Sequence, residues 1–123
     1  MNTLAETSLT PQERHAVERF AELVEAELGP DLRGVWLYGS RARGEEPKED
    51  SDVDLIVVST RGGPRDDLRL IELAYAAADA EGARAGLFSV KLYDPELIAQ
   101  RREIKSFFMQ EVDRDKIVLA GEP

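Results

Sequence analysis

The fold is decided by the stretch Gly34-Val35-Trp36-Leu37-Tyr38-Gly39-Ser40-Arg41-Ala42-Arg43-Gly44 together with Ser51-Asp52-Val53-Asp54-Leu55-Ile56-Val57-Val58. Each stretch holds a short apolar run rich in β-forming residues, which favours a buried strand over a helix of that length. We therefore predict one strand over Gly34–Gly39 and a second over Val53–Ser59. A new turn of helix is predicted to begin at Gly39-Ser40.

Helix signals lie on either side of these strands. Thr10-Pro11-Gln12-Glu13 is a capping box with proline at the first helical position, so it predicts a helix that Gly29-Pro30 ends. After a loop over Glu45–Asp50 and the second strand, an amphipathic helix is predicted to end near Gly82. Its apolar positions are Leu68, Ile71, Ala74, Tyr75 and Ala78.

The carboxyl-terminal third repeats the strand and helix alternation. A third strand is predicted over Ala85–Tyr93, one long helix from Pro95, and a short edge strand over Lys116–Ala120. The apolar side of that helix is Leu97, Ile98, Ile104, Phe107, Phe108 and Val112. Two adjacent aromatic residues cannot both face inward fully, so one of the phenylalanines is expected at an interface.

This order of elements indicates an α/β (α+β) fold in which helices pack on a small mixed sheet. A length of 123 residues allows one domain over 1–123 and leaves no room for a second. Residues 1–9 carry no helix or strand signal, and we expect them to form a flexible tail.

The net charge of the chain indicates which kinds of molecule it can bind. The formal net charge is −9 and the pI is near 4.6, which opposes direct binding of nucleic acid and favours cations or basic partners. The sequence has no apolar run long enough for a membrane span and no signal-peptide pattern at its start. These observations predict a cytoplasmic protein.

The Gly39-Ser40 pair follows a predicted strand and opens a helix. Such a turn presents backbone N–H groups that suit the phosphates of a nucleotide, and glycine lets a phosphate approach the backbone. Asp52 and Asp54 are two residues apart at a strand start, so the pleat directs both carboxylates to one face. Carboxylates arranged in this way can hold Mg²⁺ together with substrate phosphates.

Gly-Ser-x-Ala-Arg-Gly followed by Ser-Asp-x-Asp-Leu resembles the signature of the minimal nucleotidyltransferases (MNT), within the DNA polymerase β-like superfamily. The resemblance implies the nucleotidyltransferase fold, Mg²⁺ as cofactor, and ATP or another nucleoside triphosphate as substrate. It also implies site roles: metal binding and catalysis by Asp52 and Asp54, and nucleotide binding by Gly39, Ser40, Arg41 and Arg43. Of the two arginines, Arg43 matches the motif position and Arg41 occupies a variable one. Both have an alternative, which is to pair with nearby glutamates.

Active members of that superfamily commonly carry a third carboxylate on a neighbouring strand, and the predicted third strand contains none. Ser89 and Lys91 occupy its inward positions, and Asp94 lies just beyond. Lys91 would replace the charge of a metal if it pointed into the cluster, whereas Asp94 would complete the site if it reached back. The sequence leaves these alternatives open.

Three functions fit these residues. The first is transfer of AMP from ATP to a hydroxyl of a partner protein, and the resemblance implies a HEPN-type RNase toxin as that partner, with this chain as its antitoxin. The second is nucleotidylation of a small cationic molecule such as an aminoglycoside, for which a homo-oligomer would have to supply the missing wall of the cleft. The third is a nucleotide- or protein-binding module that has lost catalysis.

Overall fold

A computed structural model describes residues 7–46, 52–84 and 86–123 of the chain. Several predicted features lie outside these ranges: residues 1–6 of the expected tail, loop residues 47–50, Ser51 of the second motif and Ala85. The described elements are α1 (Pro11–Leu28), a 3-10 turn (Gly29–Asp31), β1 (Leu32–Tyr38), α2 (Gly39–Ala42), β2 (Val53–Ser59), α3 (Pro64–Ala80), β3 (Phe88–Tyr93), α4 (Pro95–Glu103), α5 (Phe107–Asp115) and β4 (Ile117–Gly121).

The four strands form one mixed sheet in the order β3-β2-β1-β4. Strand β1 is antiparallel to both β2 and β4, whereas β3 runs parallel to β2. Parallel neighbours need a crossover connection, and α3 provides it. The predicted fold class is confirmed, and β4 lies at the sheet edge as predicted.

Helix α1 begins as its sequence predicts. The Thr10 hydroxyl accepts a hydrogen bond from the backbone N–H of Glu13 at 3.1 Å, and the Glu13 carboxylate accepts one from the backbone N–H of Thr10 at 2.9 Å. This reciprocal pair satisfies two of the amide groups that a helix start leaves without partners. The helix ends at Gly29, whose φ of 54° suits glycine.

Side chains alternate between the two faces of the sheet, and each face has its own apolar cluster. One face packs against α1 and α3, and its strand residues are Val35, Leu37, Val53, Leu55 and Val57. The other face packs against α4 and α5, and its strand residues are Trp36, Tyr38, Ile56 and Val58. Helices therefore cover both sides of the sheet.

The predicted apolar side of α3 is wrong in part. Leu68, Ile71 and Tyr75 are about half exposed, at 58%, 47% and 51%. The buried side is instead Leu70, Leu73, Ala74, Ala77 and Ala78. Three alanines on this side let α3 lie close to α1, so small residues rather than the largest ones define the packed stripe.

The predicted long carboxyl-terminal helix is two helices. The chain turns after α4 at Lys105, which has a φ of 54°, and Ser106 then caps α5 by accepting a hydrogen bond from the backbone N–H of Met109 at 3.4 Å. As a result Ile104 is 67% exposed and Phe107 is 75% exposed, so neither lies on a buried side. Ser106 is a residue type that commonly caps a helix, and it marks the start of α5. The regular spacing of apolar residues on both sides of it favoured one continuous helix instead.

The end of the predicted tail is also packed. Leu9 is buried in the cluster formed with α1 and α3, and the backbone N–H of Ser8 donates to the Arg41 carbonyl at 3.1 Å. Residues 7–9 therefore belong to the domain, contrary to the expectation of a flexible tail. Among the described residues, no helix combines the length and the apolar character that crossing a bilayer requires.

Substitution of two leucines on α3, one buried and one exposed, tests which side of the helix is packed. We expect Leu70→Ala to lower the free energy of unfolding by about 2–5 kcal/mol, because it leaves a cavity in the core. Leu68→Ala, the matched exposed control, should change it by less than about 0.5 kcal/mol. Urea denaturation followed by circular dichroism measures both, and equal losses would contradict the observed orientation of α3.

Candidate active site

The Gly39 turn lies directly against the Asp54 carboxylate. Tyr38, the last residue of β1, is the register partner of Asp54 on β2. Gly39 follows with a φ of 80°, and a Cβ atom added there would lie 2.5 Å from Asp54 Oδ2. Glycine is therefore favoured at this position by its backbone conformation, and a larger residue would also displace the carboxylate oxygen of Asp54. The two sequence motifs meet at one point.

Asp52 and Asp54 flank Val53, which is fully buried in the cluster on the opposite face of the sheet. The Asp54 side chain is half-buried, whereas that of Asp52 is 52% exposed. Burial raises the pKa of Asp54, Lys91 opposes this increase, and the neighbouring charge of Asp52 adds to it. A half-buried carboxylate beside a second one is a site that a cation would stabilise.

Arg84 is a site residue that the sequence analysis missed. Its guanidinium Nη2 lies 3.7 Å from Asp52 Oδ1, and both side chains are about half exposed. Arg84 is in the loop that precedes β3, where no motif marks it. Only the parallel pairing of β2 with β3 brings this loop to the start of β2.

Arg43 lies at the rim of the site. Its guanidinium pairs with the Glu45 carboxylate and, at 3.3 Å, with Asp115 Oδ2 on α5. The charge of Arg43 also lowers the pKa of Asp54, although less than that of Lys91 does. The side chain is 36% exposed, so a phosphate group can reach it from solvent.

Arg41 has a structural position, and its predicted contact with the nucleotide remains a prediction. The residue is 3% exposed, and its guanidinium donates to the Ser8 hydroxyl at 2.9 Å, to the Ser8 carbonyl at 3.1 Å and to the Glu13 carboxylate. Glu13 is also the partner of the N-cap residue Thr10 in the capping box of α1. Arg41 therefore fastens α2 to the start of α1, and this buried network directs its charge away from the site.

Ser89, Lys91 and Asp94, the candidates to replace the third carboxylate, lie at different distances from the aspartate pair. Ser89 is the register partner of Asp54 on β3, and Lys91 pairs with Ile56. Asp94 lies five residues beyond Ser89, about 16 Å along the strand, and its carboxylate caps α4 by accepting from the backbone N–H of Glu96 at 2.7 Å. Asp94 does not reach the aspartate pair. In the described ranges no group of three acidic or histidine side chains could hold a metal ion.

Lys91 extends over the face of the sheet that carries Asp54. Its Nζ donates to the Tyr38 hydroxyl at 3.0 Å and lies 5.1 Å from the centre of the Phe108 ring. The hydrogen bond to Tyr38 raises the pKa of Lys91, and burial raises the pKa of Tyr38. At neutral pH the pair is therefore an ammonium ion bonded to a neutral phenol.

The concave space beside this site is small. A cleft of about 90 Å³ is lined by Tyr38, Gly39, Arg43, Phe108, Glu111 and Val112. Sites that enclose a drug-sized molecule usually have volumes of about 300–1,000 Å³, so a nucleotide here would remain largely open to solvent. A larger apolar groove of about 270 Å³ between α3 and β3 lies on the other face of the sheet, away from Asp54.

A glycine turn against a carboxylate pair, on a mixed sheet with helices on both faces, is the arrangement of a nucleotidyl-transfer domain. Comparison with known families agrees, since the nucleotidyltransferase domain family matches residues 17–118. The chain belongs to this family. No protein of curated function matches it.

Three solved structures share the fold. A mutant of the toxin–antitoxin complex MntA–HpeT is 19% identical, with 85% of this chain and 73% of that chain covered and a TM-score of 0.52. A toxin–antitoxin structure with AMP-PNP is 21% identical, with the same coverage and TM-score. A protein from Sulfolobus solfataricus, assigned provisionally as a nucleotidyltransferase, is 20% identical, with 96% and 87% covered and a TM-score of 0.51.

The two arginines of the first motif should behave differently when their charge is removed. Arg41→Met leaves the Glu13 carboxylate without its buried partner, so we expect a loss of about 3 kcal/mol in the free energy of unfolding. Arg43→Met removes ion pairs in which the guanidinium itself is partly exposed to solvent, and should cost less than about 1 kcal/mol. Urea denaturation of both variants checks this, and a larger loss for Arg43→Met would contradict the assignment.

Asp115 gives the fold a pH dependence. Hydrogen bonds from Arg114, and then from Arg43, lower the pKa of Asp115. A carboxylate whose pKa is lower in the folded state stabilises the fold above its unfolded pKa of about 3.9, and this contribution is lost as pH falls through the lower folded value. We expect Asp115→Asn to cost about 0.5–1 kcal/mol at pH 7 and less at about pH 3, below the unfolded pKa. Equal losses at both pH values would show that the effect is not electrostatic.

Proposed function

We propose that this chain transfers a nucleoside monophosphate, AMP from ATP, to a hydroxyl group of a partner protein, and that the partner is a HEPN-type toxin for which this chain is the antitoxin. One observation carries the proposal: the Gly39 backbone lies against the Asp54 carboxylate, so a triphosphate bound at the turn would meet the aspartate pair. Membership of the nucleotidyltransferase family supports the reaction class.

Asp52 and Asp54 fit a magnesium ion. Burial and the charge of Asp52 raise the pKa of Asp54. The positive charges near Asp54 therefore do not fully offset the cost of burying its ionised carboxylate. A divalent cation between the two aspartates would supply the missing positive charge, and would also offset charge on the triphosphate. Gly39 and Ser40 would hold the phosphates through their backbone, and Arg43 would contact them from the rim.

The reaction balances without any further co-reactant. The acceptor hydroxyl oxygen forms a bond to the α-phosphorus of ATP, and the bond between that phosphorus and the oxygen bridging to the β-phosphate breaks. Pyrophosphate leaves with the electron pair, and the hydroxyl proton passes to solvent. The residues of this chain contribute by positioning the triphosphate and stabilising its charge, which are the main sources of rate in phosphoryl transfer.

A protein acceptor is favoured by the openness of the site. The cleft beside Gly39 and Arg43 is too small to enclose a nucleotide and an acceptor together. A partner that carries the acceptor would supply the missing wall. Two of the structures that share this fold are toxin–antitoxin complexes, one of them with AMP-PNP, which supports a toxin as partner and an adenine nucleotide as substrate.

Lys91 supports a second candidate function, a module that binds nucleotide without transferring it. It lies on the strand where active members of the superfamily commonly place a carboxylate, and the described residues provide no acidic replacement. Such a module would bind ATP and its partner but would leave the partner unmodified. Transfer of labelled AMP to the partner distinguishes the enzyme from the binding module.

We expect the purified protein, incubated with Mg²⁺, ATP labelled on the α-phosphate and a HEPN toxin, to label the toxin. Asp52→Asn and Asp54→Asn should each reduce labelling by at least about 100-fold, because each weakens the metal site. Asp79→Asn, which changes an exposed carboxylate on α3, is the matched control and should label normally. Scintillation counting and mass spectrometry of the toxin measure the outcome.

ATP binding without label transfer would favour the binding module. Failure to bind ATP would overturn both candidates. Equal labelling by wild type and Asp54→Asn would show that the aspartate pair does not carry the reaction.

A further inference from the structure

Lys91 lies on the site face of the sheet and reaches across a strand. The register places Tyr38 on β1, Asp54 on β2 and Ser89 on β3 in one row. Lys91 belongs to the next row of the same face, beside Ile56. Its Nζ nevertheless bonds to the Tyr38 hydroxyl at 3.0 Å. Because β1 and β3 both neighbour β2, this contact requires the two side chains to meet above β2, next to Asp54.

The ammonium is held in place by more than this bond. It lies 5.1 Å from the centre of the Phe108 ring and 5.6 Å from the centre of the Tyr38 ring, and the two rings meet edge to face at 5.7 Å. Such geometry attracts a cation to the ring faces. Lys91 is therefore an exposed residue whose ammonium group is held beside the Tyr38 and Phe108 rings by these contacts.

A fixed ammonium changes how many metal ions the aspartates can hold. Two-metal sites place their ions about 3.5–4 Å apart and need carboxylates that bridge or surround both. Here two aspartates are present, no group of three or more ligand side chains among the described residues could hold a metal ion, and the charge of Lys91 acts on Asp54, the more buried aspartate. A second divalent ion would meet both repulsion and a lack of ligands.

We propose that Lys91 restricts this site to one divalent cation, because it places an ammonium group where a second ion would need a carboxylate ligand. The inference rests on the proposed function, in which Asp52 and Asp54 hold a metal ion for a bound triphosphate. Lys91 is in this sense a positioning residue that fixes the metal stoichiometry of the site.

Manganese reports the number of ions directly. Wild-type protein in complex with one equivalent of AMP-PNP should take up one Mn²⁺ in equilibrium dialysis and give the electron paramagnetic resonance spectrum of an isolated ion. Lys91→Asp removes the ammonium and adds a carboxylate, so it should take up two Mn²⁺ with a spin-coupled spectrum. Lys91→Glu is a second variant of the same kind, and the exposed position of Lys91 should tolerate both.

Two controls separate the effect of a change in charge from the effect of adding a carboxylate ligand. Lys91→Met removes the ammonium without adding a carboxylate and should keep one Mn²⁺. Arg65→Asp makes the same change in net charge on α3, which packs on the opposite face of the sheet, and should also keep one. Two coupled ions in the wild type would overturn the inference, as would a single ion in both acidic variants with unchanged circular dichroism.

Failure of the inference can be told apart from failure of the proposed function. If wild type binds neither AMP-PNP nor Mn²⁺, both are overturned. If the Mn²⁺ counts follow the expectation but no toxin is labelled, the stoichiometry stands and the transfer reaction is wrong. If labelling occurs and wild type binds two coupled ions, the transfer stands and the role of Lys91 is wrong.

Discussion

The pairing of Tyr38 with Asp54 across β1 and β2 is the constraint on which the rest of the site depends. It sets the strand register, and therefore puts the glycine that follows Tyr38 against the carboxylate of Asp54. A slip of one residue would turn Asp54 toward the core and Val53 toward the site. The apolar residues of both strands oppose that slip, because Val35, Leu37, Leu55 and similar side chains would lose their burial.

One face of the sheet stabilises the fold, and the other carries the candidate site. The face covered by α1 and α3 holds the larger apolar cluster and stabilises the fold. The face covered by α4 and α5 leaves its end open, and there Tyr38, Asp54 and Lys91 meet. The buried ion pair between Arg41 and Glu13 joins the two functions, since it fastens α2, which follows the glycine turn, to the first turn of α1.

Local patterns predicted the fold well, because strand runs, a capping box and a glycine turn act within a few residues of themselves. Contacts between residues far apart in the sequence could not be predicted in this way. Arg41 pairs with Glu13, 28 residues away, and Arg84 reaches Asp52 only through the parallel crossover. Lys91 was recognised as one of three candidates, and its bond to Tyr38, 53 residues away, needed the structure. The roles of Gly39, Ser40, Arg41, Arg43 and the two aspartates remain predictions.

The parallel register of β2 and β3 leaves position 91 on the site face but outside the packed core. The fold therefore makes little demand on the residue there, whereas the electrostatics of the site depend on it strongly. Lysine and glutamate codons differ by one nucleotide, so a single base substitution would reverse the sign of the charge above Asp54 while leaving the scaffold intact. A domain built in this way can change the charge of its site over short evolutionary distances, through sequences that all keep the fold.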